Sequence, residues 1–208
     1  MQRRYNLTLT PEELMFSKKV LVNFLFFITV PLILPACALS PQTINIDPDI
    51  NMVDIKPVNG SRLVLDVRDS RSDKIVGYRG GIYDTAAITT QDDVSATIHA
   101  ELARVLKGEG FTIVSKGMPA DAILEIDLEK LNYTVKQQNI PWKVEVSAVI
   151  NARAAEGTRT VSSNFEDSLN KDFPKSPSPS ENGKLINGII SKLLQRILQD
   201  ESIAGLIR

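Results

Sequence analysis

From residue 61 onward the apolar positions change period several times, and each change marks an element. Leu63, Leu65 and Val67 alternate with Arg62, Asp66 and Arg68, which predicts a strand with one apolar face. The polar turn Ser70-Arg71-Ser72-Asp73 leads into a second short strand over 75–79, which Gly80-Gly81 interrupts. Val94, Ile98, Leu102, Val105 and Leu106 then fall on one helical stripe. Thr90 with Asp93 resembles a capping pair at its start, and Lys107-Gly108 predicts its end. Residues 111–114 return to strand. Leu124, Ile126 and Leu128 alternate with Glu125, Asp127 and Glu129 in a long strand over 123–135, where a phase slip predicts a bulge near Lys130. After Asn139-Ile140-Pro141 the alternation resumes through Trp142, Val144, Val146, Ala148 and Ile150. Glu156-Gly157 is a turn, and the polar strand over 158–165 suits a sheet edge. Residues 170–180 read as an irregular loop. Ser178-Pro179-Ser180-Glu181 is a capping box opening a last helix, with Ile186, Ile189, Ile190, Leu193, Leu194 and Ile197 on its buried face.

The element order is β-β-α-β-β-β-β-α. Consecutive strands on short turns predict an α+β fold. We expect a two-layer sandwich with a largely antiparallel sheet of five to six strands and two amphipathic helices on one face. It occupies residues 61–208 as a single domain.

Residues 38–60 are punctuated by Pro41, Pro48, Pro57 and Gly60, although Ile44 and Ile46 alternate well enough for a short strand. The segment reads as a mostly extended tether. Fully stretched, 23 residues reach about 75 Å, so the globular part is expected to stand clear of whatever holds the other end.

Residues 20–36 (VLVNFLFFITVPLILPA) form an uncharged run preceded by Lys18-Lys19. A basic start, a short apolar centre and a small residue at the exit make residues 1–36 a secretory signal peptide. Beginning at Met15 instead of Met1 gives a more compact one. Leu34-Pro35-Ala36-Cys37 resembles the lipobox of bacterial lipoproteins, in which cleavage precedes the cysteine. By that resemblance Cys37, the chain's one cysteine, carries a thioether diacylglycerol and an N-acyl group. One acyl chain holds a protein marginally, at about 0.8 kcal/mol per buried methylene, and three hold it durably. Ala38 stands where an aspartate would resemble an inner-membrane retention signal. The expected location is therefore the periplasmic face of the outer membrane.

Composition narrows the chemistry. The chain is 43% hydrophobic and 24% charged with a net charge of −1, so no nucleic-acid partner is expected. Lipid on Cys37 is the only attached group expected; one cysteine makes neither an internal disulfide nor a cysteine metal site, and no cofactor or metal is implied. His99 is the one histidine and has no nucleophile elbow to serve. Glu125, Asp127 and Glu129 read as the wet side of a sheet. The chain is thus expected not to be an enzyme. The stretch DVRDSRSDKIVGYRGG brings Arg68, Arg71 and Arg79 into a candidate polar partner surface, since guanidinium forks suit carboxylate and phosphate.

Several stretches together resemble the YajG family of uncharacterised lipoproteins. They are TINIDPDI at 43–50, ARVLKGEGFTIV at 103–114 and LLQRILQDESIAGLI at 193–207. The resemblance implies an envelope lipoprotein and carries no activity with it. The function expected is a non-enzymatic binding or scaffolding module for an envelope protein or peptidoglycan, attached to the membrane by lipid. The competing expectation is a periplasmic carrier holding a small or lipidic ligand between sheet and helices.

Overall fold

The structure is a computed structural model. It describes residues 39–208 except 52, 54, 56, 58, 59, 81–85, 91 and 92. The expected signal peptide, both candidate starts and Cys37 lie outside the described residues. Among the described residues the elements are β1 (Gln42–Ile44), β2 (Arg62–Asp69), β3 (Ile75–Tyr78), β4 (Ala87–Thr90), α1 (Val94–Gly108), β5 (Thr112–Val114), β6 (Ala122–Gln137), β7 (Trp142–Glu156), β8 (Arg159–Phe173), α2 (Pro179–Gln199) and α3 (Glu201–Ile207).

The spine is the antiparallel meander β6–β7–β8, registered by pairs such as Leu124↔Ala154 and Ile150↔Phe165. The other edge of β6 is shared. β2 runs parallel along its first half, Leu63↔Ala122 to Asp69↔Leu128, and carries β5 on its far side. β3 joins farther along, Gly77↔Tyr133, and carries β4 and then β1. The ladder of β6 shifts register between Leu128 and Lys130, where the sequence predicts the bulge. Alternate residues of β6 and β7 are buried, and one apolar cluster joins them to the helices. The helices pack over this one face. α1 covers β2 and β5, α2 covers β7, β8 and β1, and α3 covers β6 to β8.

The two-layer α+β reading stands, with corrections. The sheet has eight strands among the described residues, not five to six, and three helices accompany it. It is mixed, not largely antiparallel: four of the seven strand pairings are parallel. Alternation tells a strand which face is apolar but not which neighbour it takes, and the shared edge of β6 recruits strands from distant parts of the chain. β4 has no counterpart in the sequence reading; Thr90 ends that strand, and Asp93 caps α1 alone through the Ser95 and Ala96 amides. The left-handed glycine after α1 is Gly110 (φ 104°), not Gly108, which is still helical. β8 runs on to Phe173, into the expected loop. The capping box at Ser178 and Glu181 forms as read.

The expected tether is folded into the domain. The compact unit is Leu39–Arg208. Ile44, Ile46, Ile50, Val53 and Ile55 are buried in the main core. Beyond β1 the described residues of this arm pair with no strand, and helix side chains take up several of its backbone groups. Asn187 Oδ1 accepts from the Asp47 amide at 2.9 Å, Ser191 Oγ from the Asp49 amide at 2.9 Å and Glu101 Oε1 from the Ile50 amide at 2.7 Å. Arg104 and Asn187 donate to the Ile50 and Asn45 carbonyls. The bidentate contact with Arg104 holds the Glu101 carboxyl below its usual range.

Candidate functional site: the open face of the sheet

With all three helices on one side, the other face of the sheet presents its polar residues to solvent. The register aligns them in rows. Asp66 of β2 stands beside Glu125 of β6, which stands beside Arg153 of β7 and then Ser162 of β8. The next row on the same face is Arg68, Asp127, Asn151 and Asn164. Within the rows, Arg153 Nη1 meets Glu125 Oε2 at 2.6 Å and Asn151 Nδ2 donates to Asn164 Oδ1 at 2.6 Å. Lys116 reaches Asp66 at 3.0 Å from the loop after β5. Asp127 Oδ1 is buried without a partner, although Arg68 stands opposite it in the ladder.

The three arginines singled out by sequence are not brought together. Arg68 stands level with Asp127 and Arg79 about level with residue 135, so the two are separated by about eight residues along β6, or roughly 26 Å. Arg71 folds back on Asp69 in a fork of two 2.7 Å contacts and its side chain is only 5% exposed. Arg79 is a clamp: Nη1 donates to the Ser40 carbonyl at 2.8 Å, and Nη2 to Ser176 Oγ and the Pro177 carbonyl. Burial lowers its pKa, partly offset by the nearby Tyr133. Arg68 is exposed and makes no hydrogen bond or ion pair among the described residues. Sequence reading passed over Asn151, Arg153 and Asn164; their polar alternation on β7 and β8 was visible, but only the register sets them beside Asp127 and Glu125.

This face can recognise polar groups through amides, carboxylates, hydroxyls and one unpaired guanidinium. Glu125 is neutralised by Arg153. Among the described residues no three His, Cys, Asp or Glu side chains converge on a metal position, and no helix is long and apolar enough to cross a membrane. The facing side chains of sheet and helices make a dry core. Leu124, Ile126, Leu128 and Ile150 of the sheet and Ile186, Ile190, Leu193 and Ile197 of α2 are fully buried.

Fold and face define a two-layer α+β domain with one bare, polar sheet surface. A family model described as uncharacterized lipoprotein, the YajG family, matches residues 48–208, and the chain belongs to that family. A search of curated proteins finds no match. Among solved structures, protein XCC0632 from Xanthomonas campestris is 11% identical with a TM-score of 0.53, over 79% of this chain and 96% of that one; the likeness is one of fold. A minor lipoprotein from Acinetobacter baumannii is 10% identical with a TM-score of 0.40, over 72% and 94% of the two chains. Lipoprotein GNA1162 from Neisseria meningitidis is 12% identical with a TM-score of 0.36, over 67% and 99%.

Proposed function

We propose that this chain is a periplasm-facing lipoprotein of the outer membrane, acylated at Cys37, whose open sheet face binds a polar envelope component, either protein or peptidoglycan. It is not an enzyme. The observation that carries this reading is the pair of cross-strand rows, one of which begins with the unpaired Arg68. An exposed, pre-aligned set of donors and acceptors on rigid strands is costly to nothing but itself, and it suits a broad polar partner. The lipobox resemblance and the lipoprotein family support the anchor, and Ala38 after the cysteine supports the outer membrane as destination.

The test is photo-crosslinking in intact cells from a probe placed at Asn164, at the other end of the row that begins with Arg68, with a second probe at Gln195 on α2. A partner captured from position 164 and not from 195, and lost in Arg68→Glu, supports the reading. Peptidoglycan co-sedimentation of the acylated protein separates the two partner classes. Capture from α2 alone would place the binding surface elsewhere.

A further inference from the structure

The folded arm leaves very little free chain between Cys37 and the domain. Arg79 holds the carbonyl of Ser40 at 2.8 Å, so the expected lipid attachment at Cys37 is only three Cα–Cα steps from a fixed point. Their full reach is about 10 Å. What lies at that end of the domain therefore matters.

Topology decides it. β1 enters the sheet level with Gly77 and Tyr133, through Gln42↔Ile88, Gly77↔Ile88 and Gly77↔Tyr133. Beyond that level β6 continues to Gln137, turns through 138–141 and returns as β7 from Trp142. At about 3.3 Å per residue the hairpin projects roughly 13 Å past Val135, comparable to the reach of the free chain. β8 ends alongside it, with Trp142↔Phe173. The corner that clamps Ser40 also touches the tip: a Cβ on Gly80 would stand 3.1 Å from the Gln138 side chain. The chain exit, the β6–β7 tip and the loop after β8 share one end.

That end has the composition of a membrane contact. Ile140, at the tip, is 80% exposed, the highest value among the exposed large apolar residues of the described chain. Lys143, Lys171 and Lys175 are exposed around it, with Asp172 the acid opposite Lys143 in the ladder. We propose that this end rests on the phospholipid surface that holds the anchor, with Ile140 among the head groups and the three lysines facing lipid phosphates. The strands of the meander then stand away from the bilayer, and the open face is presented sideways to the periplasm instead of being held out on a long tether. The proposal rests on acylation of Cys37.

The experiment uses the full acylated protein in vesicles of three parts phosphatidylethanolamine to one part phosphatidylglycerol. With Cys37 acylated, Ile140→Cys supplies one free thiol for an environment-sensitive fluorophore. Met118→Cys, 55% exposed in the loop before β6 and hence at the opposite end, is the comparison. Both sites are exposed, so neither change disturbs the core. Head-group spin-labelled lipid should quench the probe at 140 several-fold more than the probe at 118. Equal quenching at both, in protein whose intact mass carries the acyl chains, overturns the docked end and leaves the anchor standing. Protein extracted from membranes without acyl mass overturns the anchor and the docked end with it.

Discussion

Two positions near the arm's entry show how differently single residues are constrained. A Cβ on Gly77 would lie 2.0 Å from the Tyr133 carbonyl oxygen, where strands β3 and β6 meet. No side chain fits there without parting the ladder, so Gly77→Ala should cost on the order of 3 kcal/mol or more. Urea unfolding followed by circular dichroism measures it, and a near-native midpoint would refute the close approach. Tyr133 itself is the opposite case. Its hydroxyl is buried and makes no hydrogen bond of normal geometry; burial pushes its pKa up to about 12, against the opposing pull of nearby Arg79 and Asn182. Tyr133→Phe removes a desolvated hydroxyl that has no well-formed hydrogen bond, so its stability should stay within about 0.5 kcal/mol of the parent. Spectrophotometric titration should lose one late-ionising phenol in the same variant.

Helix starts and the sheet edge carry the pH dependence. In the capping box of α2 the Ser178 amide, and next its hydroxyl, hold Glu181 below its usual pKa. Ser178→Ala should cost about 1 kcal/mol, visible as a lower urea midpoint. The Ser202 hydroxyl depresses Asp200 at the start of α3, and Lys192 depresses Asp167 on β8. A carboxylate with a lowered folded pKa contributes stability above its unfolded value, near 4, and loses it as pH falls through the folded one. The urea midpoint should therefore be flat from pH 8 to 6 and fall below about pH 4, with the loss reduced by salt because these groups are exposed. β8 is also an edge strand fifteen residues long, a shape that invites pairing with another chain. Its protection is local: Arg196 donates to the Glu166 carbonyl at 3.1 Å and lies over the Phe165 ring, while Asp167 takes the Ser168 amide.

For the whole molecule the decisive finding is the arm. Five apolar side chains from 44–55 lie in the core, each contributing about 1.5–3 kcal/mol when buried, against a total stability of about 5–15 kcal/mol for a domain. A chain beginning at residue 61 should therefore lack a cooperative thermal transition that one beginning at residue 38 shows. A sharp melt in the shorter chain would reduce the arm to a loose appendage. The same geometry shortens the leash: a segment long enough to reach about 75 Å when free is spent on packing against the domain.

Much of this was legible in the residues. The stripe of α1, the capping box of α2, the bulge near Lys130 and the edge character of β8 depend on neighbours within one element, and local period and cap chemistry report them directly. The lipoprotein family was readable too, from short stretches spread along the chain. What only the tertiary structure decided is which strand lies beside which. The shared edge of β6, the parallel pairings and the rows on the open face join residues dozens of positions apart, and alternation carries no record of the partner. Arg71 and Arg79 were legible as cations and not as a closed fork and a clamp, because a guanidinium's role is set by what the fold places within 3 Å of it. The arm looked like a tether for the same reason: prolines forbid a helix, but whether an extended chain floats or packs depends on an apolar surface that exists only once the rest has folded.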